Sequence, residues 1–325
     1  MRCEALWGDR MRITPALLIF GCLIIFGAVI FVSVLLPGVT SGDRPSDIFR
    51  GRTALEAEGR TIFIENGCSY CHSQYIRSGD WDLGAERIAQ AGDYVQDRPH
   101  QLGSARTGPD LSQEGGEHPD DWHVAHFINP RYTRPESLMP PFQYLRKERA
   151  EALVAYAQSL GYRNADFRVE RQRYWKKKSI EAYESGPDGN VAWLHSMVPE
   201  PWRTLPNPYF TTQVGLERGH RIYQSFCIGC HGPIGDGMGP VQPYINPPPL
   251  NFTLLKGRGI SGGILYYQIM NGITGTAMPY FKRELESEKI WDVGDYVAVY
   301  FVGQSDGGQE PRGIDASYEG RRKGD

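Results

Sequence analysis

The sequence is sparing in cysteine, in net charge and in long apolar runs, and each scarcity narrows what the chain can be. Only six Cys occur in 325 residues. Four of them sit in two short motifs, Cys22 lies in an apolar run and Cys3 is near the N-terminus. No pair is therefore left to staple a soluble domain with a disulfide. Net charge is -3 at pH 7, so the strongly basic balance of a nucleic-acid binder is absent and any docking patch must be local. One stretch alone, Ile13 to Leu36, runs on without a charge, interrupted only by Thr14, Pro15, Gly21, Gly27 and Ser33. It exceeds the ~20 residues needed to cross a bilayer. A cleaved signal peptide has a shorter apolar core and a small-x-small exit, of which Val39-Thr40-Ser41 is a poor version. The chain is expected to carry one uncleaved membrane anchor over residues 13–36.

What the sequence does contain is one five-residue pattern, twice: Cys68-Ser-Tyr-Cys71-His72 and Cys227-Ile-Gly-Cys230-His231. In Cys-x-x-Cys-His the two thiols add across the vinyl groups of a haem, and the adjacent imidazole is placed to bind its iron. A thioredoxin-like site would need strand-helix alternation around the pair, and none is present. A four-Cys zinc ribbon separates its pairs by about 15 to 20 residues, whereas Cys71 and Cys227 are far apart. The expectation is two covalently attached haem c groups, held through Cys68, Cys71, Cys227 and Cys230, with His72 and His231 on the irons. No copper or zinc site is expected. Charge scarcely fixes the membrane orientation, since Arg2, Arg10 and Arg12 before the anchor face Arg44, Arg50 and Arg52 after it. Haem attachment by this motif takes place outside the bacterial cytoplasmic membrane. Residues 1–12 are thus expected inside, in a single-pass inner-membrane protein with its haem domains in the periplasm.

Around the motifs a second repeat is visible. Thr53 to Asn66 reads as a helix leading into the first motif, with Leu55, Gly59, Ile62 and Phe63 on related faces; Gly215 to Phe226 does the same for the second, with Leu216, Gly219, Ile222 and Tyr223. Each unit closes with another helical pattern, Arg149 to Leu160 and Ser287 to Phe301. Gly59 and Gly219 would let the opening helix approach the closing one closely. The fold class expected is all-α: the anchor, a first domain over residues 53–162, a second over 215–303, and a polar tail over 304–325. Between the domains, residues 163–214, Arg163 to Glu184 reads as a charged, solvated helix centred on Lys176-Lys177-Lys178. Ser185 to Asn207 reads as an extended Pro- and Gly-rich linker.

An electron-transfer haem usually has both axial positions filled, and a His-Met pair gives a higher potential than two His. In the first unit the only Met is Met139, between Leu138 and Pro140. In the second, Met238 is too close to His231 to reach around a haem, Met270 sits in an apolar stretch suited to core packing, and Met278 repeats the Met-Pro setting of Met139. Met139 and Met278 are the expected distal ligands. His100, His118, His123 and His126 are alternatives in the first unit, though surface or packing roles suit them better. The carbonyls of Pro109 and Pro249 are placed to accept the other ring N–H of each proximal His. Arg77 and Arg106 are candidates for pairing with haem propionates, and equally for ordinary surface roles.

Opening helix, haem motif, Pro-Leu segment, Met loop and closing helix together resemble class I cytochrome c domains. The first unit resembles something narrower. Cys71-His72-Ser-Gln-Tyr-Ile-Arg77, Gly103-Ser-Ala-Arg-Thr-Gly-Pro-Asp-Leu111, Asp121-Trp-His-Val-Ala-His126 and Pro135-Glu-Ser-Leu-Met-Pro140 are similar to the membrane-anchored haem-c subunit II of cbb-type haem-copper oxidases. The resemblance covers about half the chain and departs from the family in the second domain, whose His231-Gly-Pro-Ile-Gly-Asp-Gly-Met-Gly239 resembles a generic respiratory cytochrome c module. It implies an electron-transfer subunit with no catalytic residues of its own. Its partners would be a polytopic catalytic oxidase subunit, other haem-c subunits, and a soluble cytochrome or quinol-oxidising complex as donor. An oxygen-reducing centre needs several His in a polytopic bundle, which one span cannot provide. Two alternatives stay open: a subunit of a nitric oxide reductase or quinol:cytochrome oxidoreductase, and a haem enzyme or sensor with an open distal site.

Overall fold

The computed structural model describes residues 14–40, 44–83, 87–101, 103 and 105–303. The expected N-terminal segment 1–12 and tail 304–325 lie outside the described residues. Among those described the regular structure is all helical. The chain divides into two units, one made of the residues up to Phe49 with Gln90–Arg98, the other of Arg50–Ala89 and the residues from Pro99 onward.

In the first unit, helix α1 (Pro15–Thr40) is long and apolar enough to cross a membrane. Thr14 caps it by accepting from the Leu17 amide at 3.3 Å, and Pro15 occupies a first-turn position, where its missing N–H costs nothing. Pro37 has no N–H for the carbonyl four residues back. The turn before it relaxes into a π-helical one over Phe31–Leu35, in which the Leu36 amide donates to Phe31 instead. At ~1.5 Å per residue the helix is about 39 Å long, and its Leu, Ile, Val and Phe side chains are exposed. Such a surface is stable only against lipid or protein. Beyond α1, Ser46 joins Gly92 and Asp93, its amide donating to the Gly92 carbonyl at 3.0 Å and its hydroxyl to the Asp93 carboxylate at 2.5 Å.

The second unit opens with α2 (Ala54–Glu65). Thr53 and Glu56 form a capping box: the Glu56 amide donates to the Thr53 hydroxyl at 3.3 Å and the Thr53 amide to the Glu56 carboxylate at 2.8 Å. Helix α3 (Asp120–Ile128) and helix α4 (Lys147–Ser159) follow. Ile62 and Phe63 of α2 pack with Ala152, Leu153, Tyr156 and Leu160 of the closing segment. Phe63 meets Tyr156 edge-on at 5.3 Å. At Gly59 the two helices touch backbone to side: a Cβ there would sit 1.9 Å from the Ala152 carbonyl oxygen.

Helix α5 (Tyr162–Glu184) matches the charged helix expected over 163–184, but one of its stripes is not solvated: Ala165, Val169, Ser179 and Ala182 are buried. Arg168 donates to the carbonyls of Gly115 and Gln113, both at 2.7 Å, while Gln172 accepts from the Gly275 amide at 2.7 Å. The helix thus bonds to both domains, with Gln172 near its middle reaching the second. Lys176 pairs with Asp121 and Lys178 with Glu181, so the lysine run is mostly committed within the chain. The extended linker expected over Ser185 to Asn207 is replaced by helix α6 (Gly186–Ser196) and a helical turn at Glu200–Arg203. Pro187 and Pro201 stand in first turns, where proline starts a helix rather than breaking one. Val191 and Val198 then join the second domain's core, a burial of about 1.5–3 kcal/mol each.

Helix α7 (Gln213–Ile222) is capped by Thr212, whose hydroxyl accepts from the Gly215 amide at 3.0 Å. It packs with α8 (Gly262–Asn271) and α9 (Ser287–Val297) around Ile264, Ile269, Ile290 and Trp291, the last stacked on Tyr266 at 4.4 Å. Gly219 repeats the role of Gly59, since a Cβ there would lie 2.2 Å from the Asp292 carbonyl oxygen. Gly59→Ala and Gly219→Ala should each cost about 1–3 kcal/mol, because backbone cannot give way as a side chain can. Thermal unfolding of the haem-loaded protein followed by circular dichroism checks this against Gly21→Ala, where an added Cβ meets nothing within 4 Å. Equal stability of all three would mean that the helices do not cross at these glycines.

Candidate functional site

Both motifs sit where an opening helix unwinds. After α2, Gly67 takes φ +67°, a left-handed conformation that favours glycine, and turns the chain into a short 3-10 turn at Cys68–Tyr70. The His72 amide donates to the Cys68 carbonyl at 3.0 Å, which closes the motif on itself. Cys68 packs against the Ile62 cluster and Cys71 is exposed. In the second domain α7 continues through a π-helical turn at Tyr223–Cys227 into the helical turn Ile228–His231. Cys227 and Cys230 are half-buried there.

The imidazole of each motif is tied by its Nδ1. His72 Nδ1–H donates to the Pro109 carbonyl at 2.9 Å, the partner expected from the sequence. His231 Nδ1–H donates to the Leu250 carbonyl at 3.2 Å, not to Pro249 as expected. This tautomer leaves Nε2 with its lone pair free for a metal. The one-residue correction has a local cause. Asp110 and Asn251 follow the two acceptor carbonyls, and each folds the next turn back by side chain: Ser112 donates to Asp110 from its amide at 2.8 Å, and Thr253 to Asn251 at 2.9 Å. The turns therefore align Leu250 with Pro109, and the prolines themselves do not correspond. Asp110, Asn251 and Leu250 were missed in the sequence; the Asp-x-Ser and Asn-x-Thr pairs were the signal that could have found them.

Asp110 does more than shape its turn. Its second oxygen accepts from the Ser73 hydroxyl at 2.6 Å and the Tyr75 amide at 2.9 Å, joining the acceptor segment to the chain leaving His72. The ring of His72 lies against Gly108, where a Cβ would come 2.3 Å from Cε1. The ring of His231 is stacked on Phe252 at 4.3 Å.

Cys227, Cys230, His231 and Met278 all line one cavity of about 1120 Å³ including its open side, walled otherwise mostly by apolar groups such as Phe226 and Ile269. Two thiols, an imidazole Nε2 and a thioether around an apolar space are the donor set and the surroundings that a covalently held haem needs. Met139 is half-buried in its Pro-flanked loop. The two Met loops share a device: the Met139 amide donates to the Ser137 hydroxyl and the Met278 amide to the Thr276 hydroxyl, both at 3.2 Å. Met238 is exposed and Met270 packs on the second core.

The remaining sequence candidates divide clearly. His118, Trp122 and His126 form a stack, with ring separations of 3.7 and 4.7 Å. His126 also bonds Thr133 Oγ1 at 2.7 Å. Buried His123 lies 3.6 Å from the Glu114 carboxylate. These three histidines pack within the first domain, and His100 is exposed. Arg77 and Arg106 both close on Asp80, at 2.9 Å each. Arg77 stays largely exposed in this pairing, while Arg106 is mostly covered.

Electrostatics follow burial. Desolvation lowers His72 and pushes His231 down to about 4, so both imidazoles are neutral at pH 7, as coordination requires. It pushes Cys68 up to about 11 and Cys227 and Cys230 up to about 12. A reactive redox dithiol has the opposite shift. Burial likewise lowers His123 to about 4 and His126 to about 3, and with Glu117 nearby it raises Glu114 to about 8.

Two helical domains, each presenting Cys-x-x-Cys-His with its imidazole tied at Nδ1, define the class of c-type cytochromes. Residues 9–184, more than half of the chain, match the family described as cytochrome c oxidase, mono-haem subunit/FixO, and the chain belongs to that family. Residues 215–297 match a second description, cytochrome c oxidase, cbb3-type, subunit III. The chain is a cytochrome c electron-transfer subunit of this oxidase type, and its cytochrome c domains imply covalently bound haem c. No curated protein matches it. Among solved structures, a chain of the reducing HAO-like protein complex of Kuenenia stuttgartiensis is 21% identical over 78% of this chain and 99% of that one. Its TM-score of 0.27 is too low to argue from.

Asp110→Ala removes the acceptor that holds Ser73, Tyr75 and Ser112 together. Losing the four hydrogen bonds that these three residues donate to Asp110 should cost about 2–4 kcal/mol. Denaturant unfolding of the haem-loaded protein measures the loss, and a stability within error of wild type would show that the Pro109 segment is held otherwise.

Proposed function

We propose that the chain relays single electrons through two haem c groups, one per domain, to the separate oxygen-reducing subunit of a cbb3-type oxidase. The observation that carries this reading is the duplication of the whole ligand environment: a tied His and a hydroxyl-braced Met loop in each domain. Cys68 and Cys71 would hold the first haem and Cys227 and Cys230 the second. His72 with Met139, and His231 with Met278, would bind the two irons. The chain's own residues keep each His neutral and oriented, keep water from much of the pocket, and supply thioether sulfur, which raises the potential relative to a second imidazole. No proton transfer or bond rearrangement is asked of the polypeptide.

The family resemblance supports docking of the first domain on the catalytic subunit, leaving the second outermost to receive electrons from a soluble cytochrome or a quinol-oxidising complex. Helix α1 anchors the chain in the inner membrane with the N-terminus in the cytoplasm, since the attachment chemistry requires both domains to be in the periplasm.

Haem content should be two per chain. Met139→Ala and Met278→Ala should each abolish about half of the far-red sulfur-to-iron charge-transfer absorption and lower the potential of one haem. Absorption unchanged in either variant would remove that Met from the ligand set. The assignment to an oxidase is checked separately by purifying the chain from native membranes with its partners and assaying oxygen and nitric oxide consumption with reduced cytochrome c. Oxygen turnover that collapses in Met139→Ala is the expected result. Nitric oxide reduction with no oxygen uptake would move the subunit to another respiratory complex.

A further inference from the structure

The two cytochrome domains meet through a defined face of the second domain. Cys230, Val241, Ile245 and Ala277 of the second domain share one apolar cluster with Trp122, Ala125 and Tyr132 of the first. Ala277 immediately precedes Met278, and Cys230 immediately precedes His231. The face that carries the second domain's iron ligands is therefore the face pressed against the first domain. Gly229, between the two cysteines of the second motif, has no room for a side chain: a Cβ there would lie 2.3 Å from the Tyr132 carbonyl oxygen. The corresponding residue of the first motif is Tyr70, which is 80% exposed.

Polar contacts ring the cluster. The Asn246 amide donates to Asp121 at 2.8 Å and the Ser225 hydroxyl to Glu136 at 2.7 Å. Arg134 binds Glu284 through two bonds of 2.7 and 2.6 Å. An exposed pair like this last one contributes little to holding the domains together. The buried apolar cluster and the side-chain-free approach at Gly229 dominate the contact. On the first domain, the same stretch leads to the distal loop, since the Arg131 guanidinium donates to the Met139 carbonyl at 3.4 Å. Trp122 stacks on His126, one helical turn away.

We infer that this contact is a fixed electron junction: the Cys230–Ala277 face of the second domain is docked permanently on Trp122, Ala125 and Tyr132, so that electrons pass between the domains without a diffusional encounter. The inference rests on the two-haem reading. An electron crossing the junction raises the oxidation state of the iron it leaves by one and lowers that of the iron it reaches by one. No bond forms or breaks, and no proton moves.

The test uses the full-length haem-loaded chain carrying Ala125→Leu, which adds bulk at a site with no exposed surface, or Gly229→Ala. Gly229→Ala leaves every Cys and His in place and covers the case in which Ala125→Leu fails to fold. Two readouts are taken on each. Hydrogen exchange over residues 120–133 and 240–246 reports the contact itself, and redistribution of an electron between the haems after flash reduction reports its use. Faster exchange in both segments together with redistribution slowed by roughly tenfold or more is expected, since a displacement near 1 Å can cost that much in a positioned reaction. Faster exchange with an unchanged redistribution rate would overturn the junction, as would exchange unaltered in both variants. A wild-type haem content of one per chain would instead overturn the two-haem reading, so the two failures are distinguishable.

Discussion

Everything in each cytochrome domain depends on one close approach, that of the opening helix to the closing helix through a glycine. At Gly59 the backbone of α4 takes the space a methyl group would fill, and at Gly219 the backbone of α9 does the same. The crossing fixes where α2 and α7 end, and each haem motif is the chain that leaves that end. Cys68 packs directly on the cluster formed at the first crossing, and Cys227 and Ile228 pack on the second core. The position of two thiols and an imidazole is thus inherited from a packing contact with no chemistry of its own.

Orientation of the imidazole is a second, separate problem, and the chain solves it twice by the same means. A backbone carbonyl accepts from Nδ1–H, and a side chain immediately after it, Asp110 or Asn251, bends the next turn into place. Backbone is a stiff acceptor because its position is set by its neighbours rather than by a rotamer. Burial adds to this by disfavouring the charged imidazolium, which keeps a coordinating lone pair available. The two domains differ in how they cover the ring: Gly108 lets backbone approach His72, and Phe252 stacks on His231. Pocket shape can therefore be tuned on either domain without disturbing the bond that aims the ligand.

The second unit of the chain is more than two modules in series. Helix α5 reaches both, with Arg168 on the Gly115 loop and Gln172 on Gly275, and α6 adds Val191 to the second core. A flexible tether would leave the domains to find each other. A helical strut with bonds at both ends holds one arrangement, and the glycine between Cys227 and Cys230 fits that arrangement closely. For a subunit whose task is to pass electrons, such an arrangement removes one search step from every turnover.

Local pattern was enough to identify much of this. The Cys-x-x-Cys-His motifs, the helix start at Thr53, the uncharged run of α1 and the two helical glycines all declare themselves over a few residues, because covalent attachment, capping, bilayer length and close approach are short-range requirements. What the sequence misread turned on how the chain folds back, in one case at long range and in another within a single turn. Ser185 to Asn207 looks like a linker until the second core offers Val191 and Val198 a place to be buried. Leu250 rather than Pro249 is the acceptor because of the local turn that Asn251 makes with Thr253, a short-range signal that the neighbouring prolines obscure. The junction at Gly229 was invisible because a glycine in a motif has no meaning by itself, and only the carbonyl of Tyr132, supplied by another domain, says why nothing larger stands there.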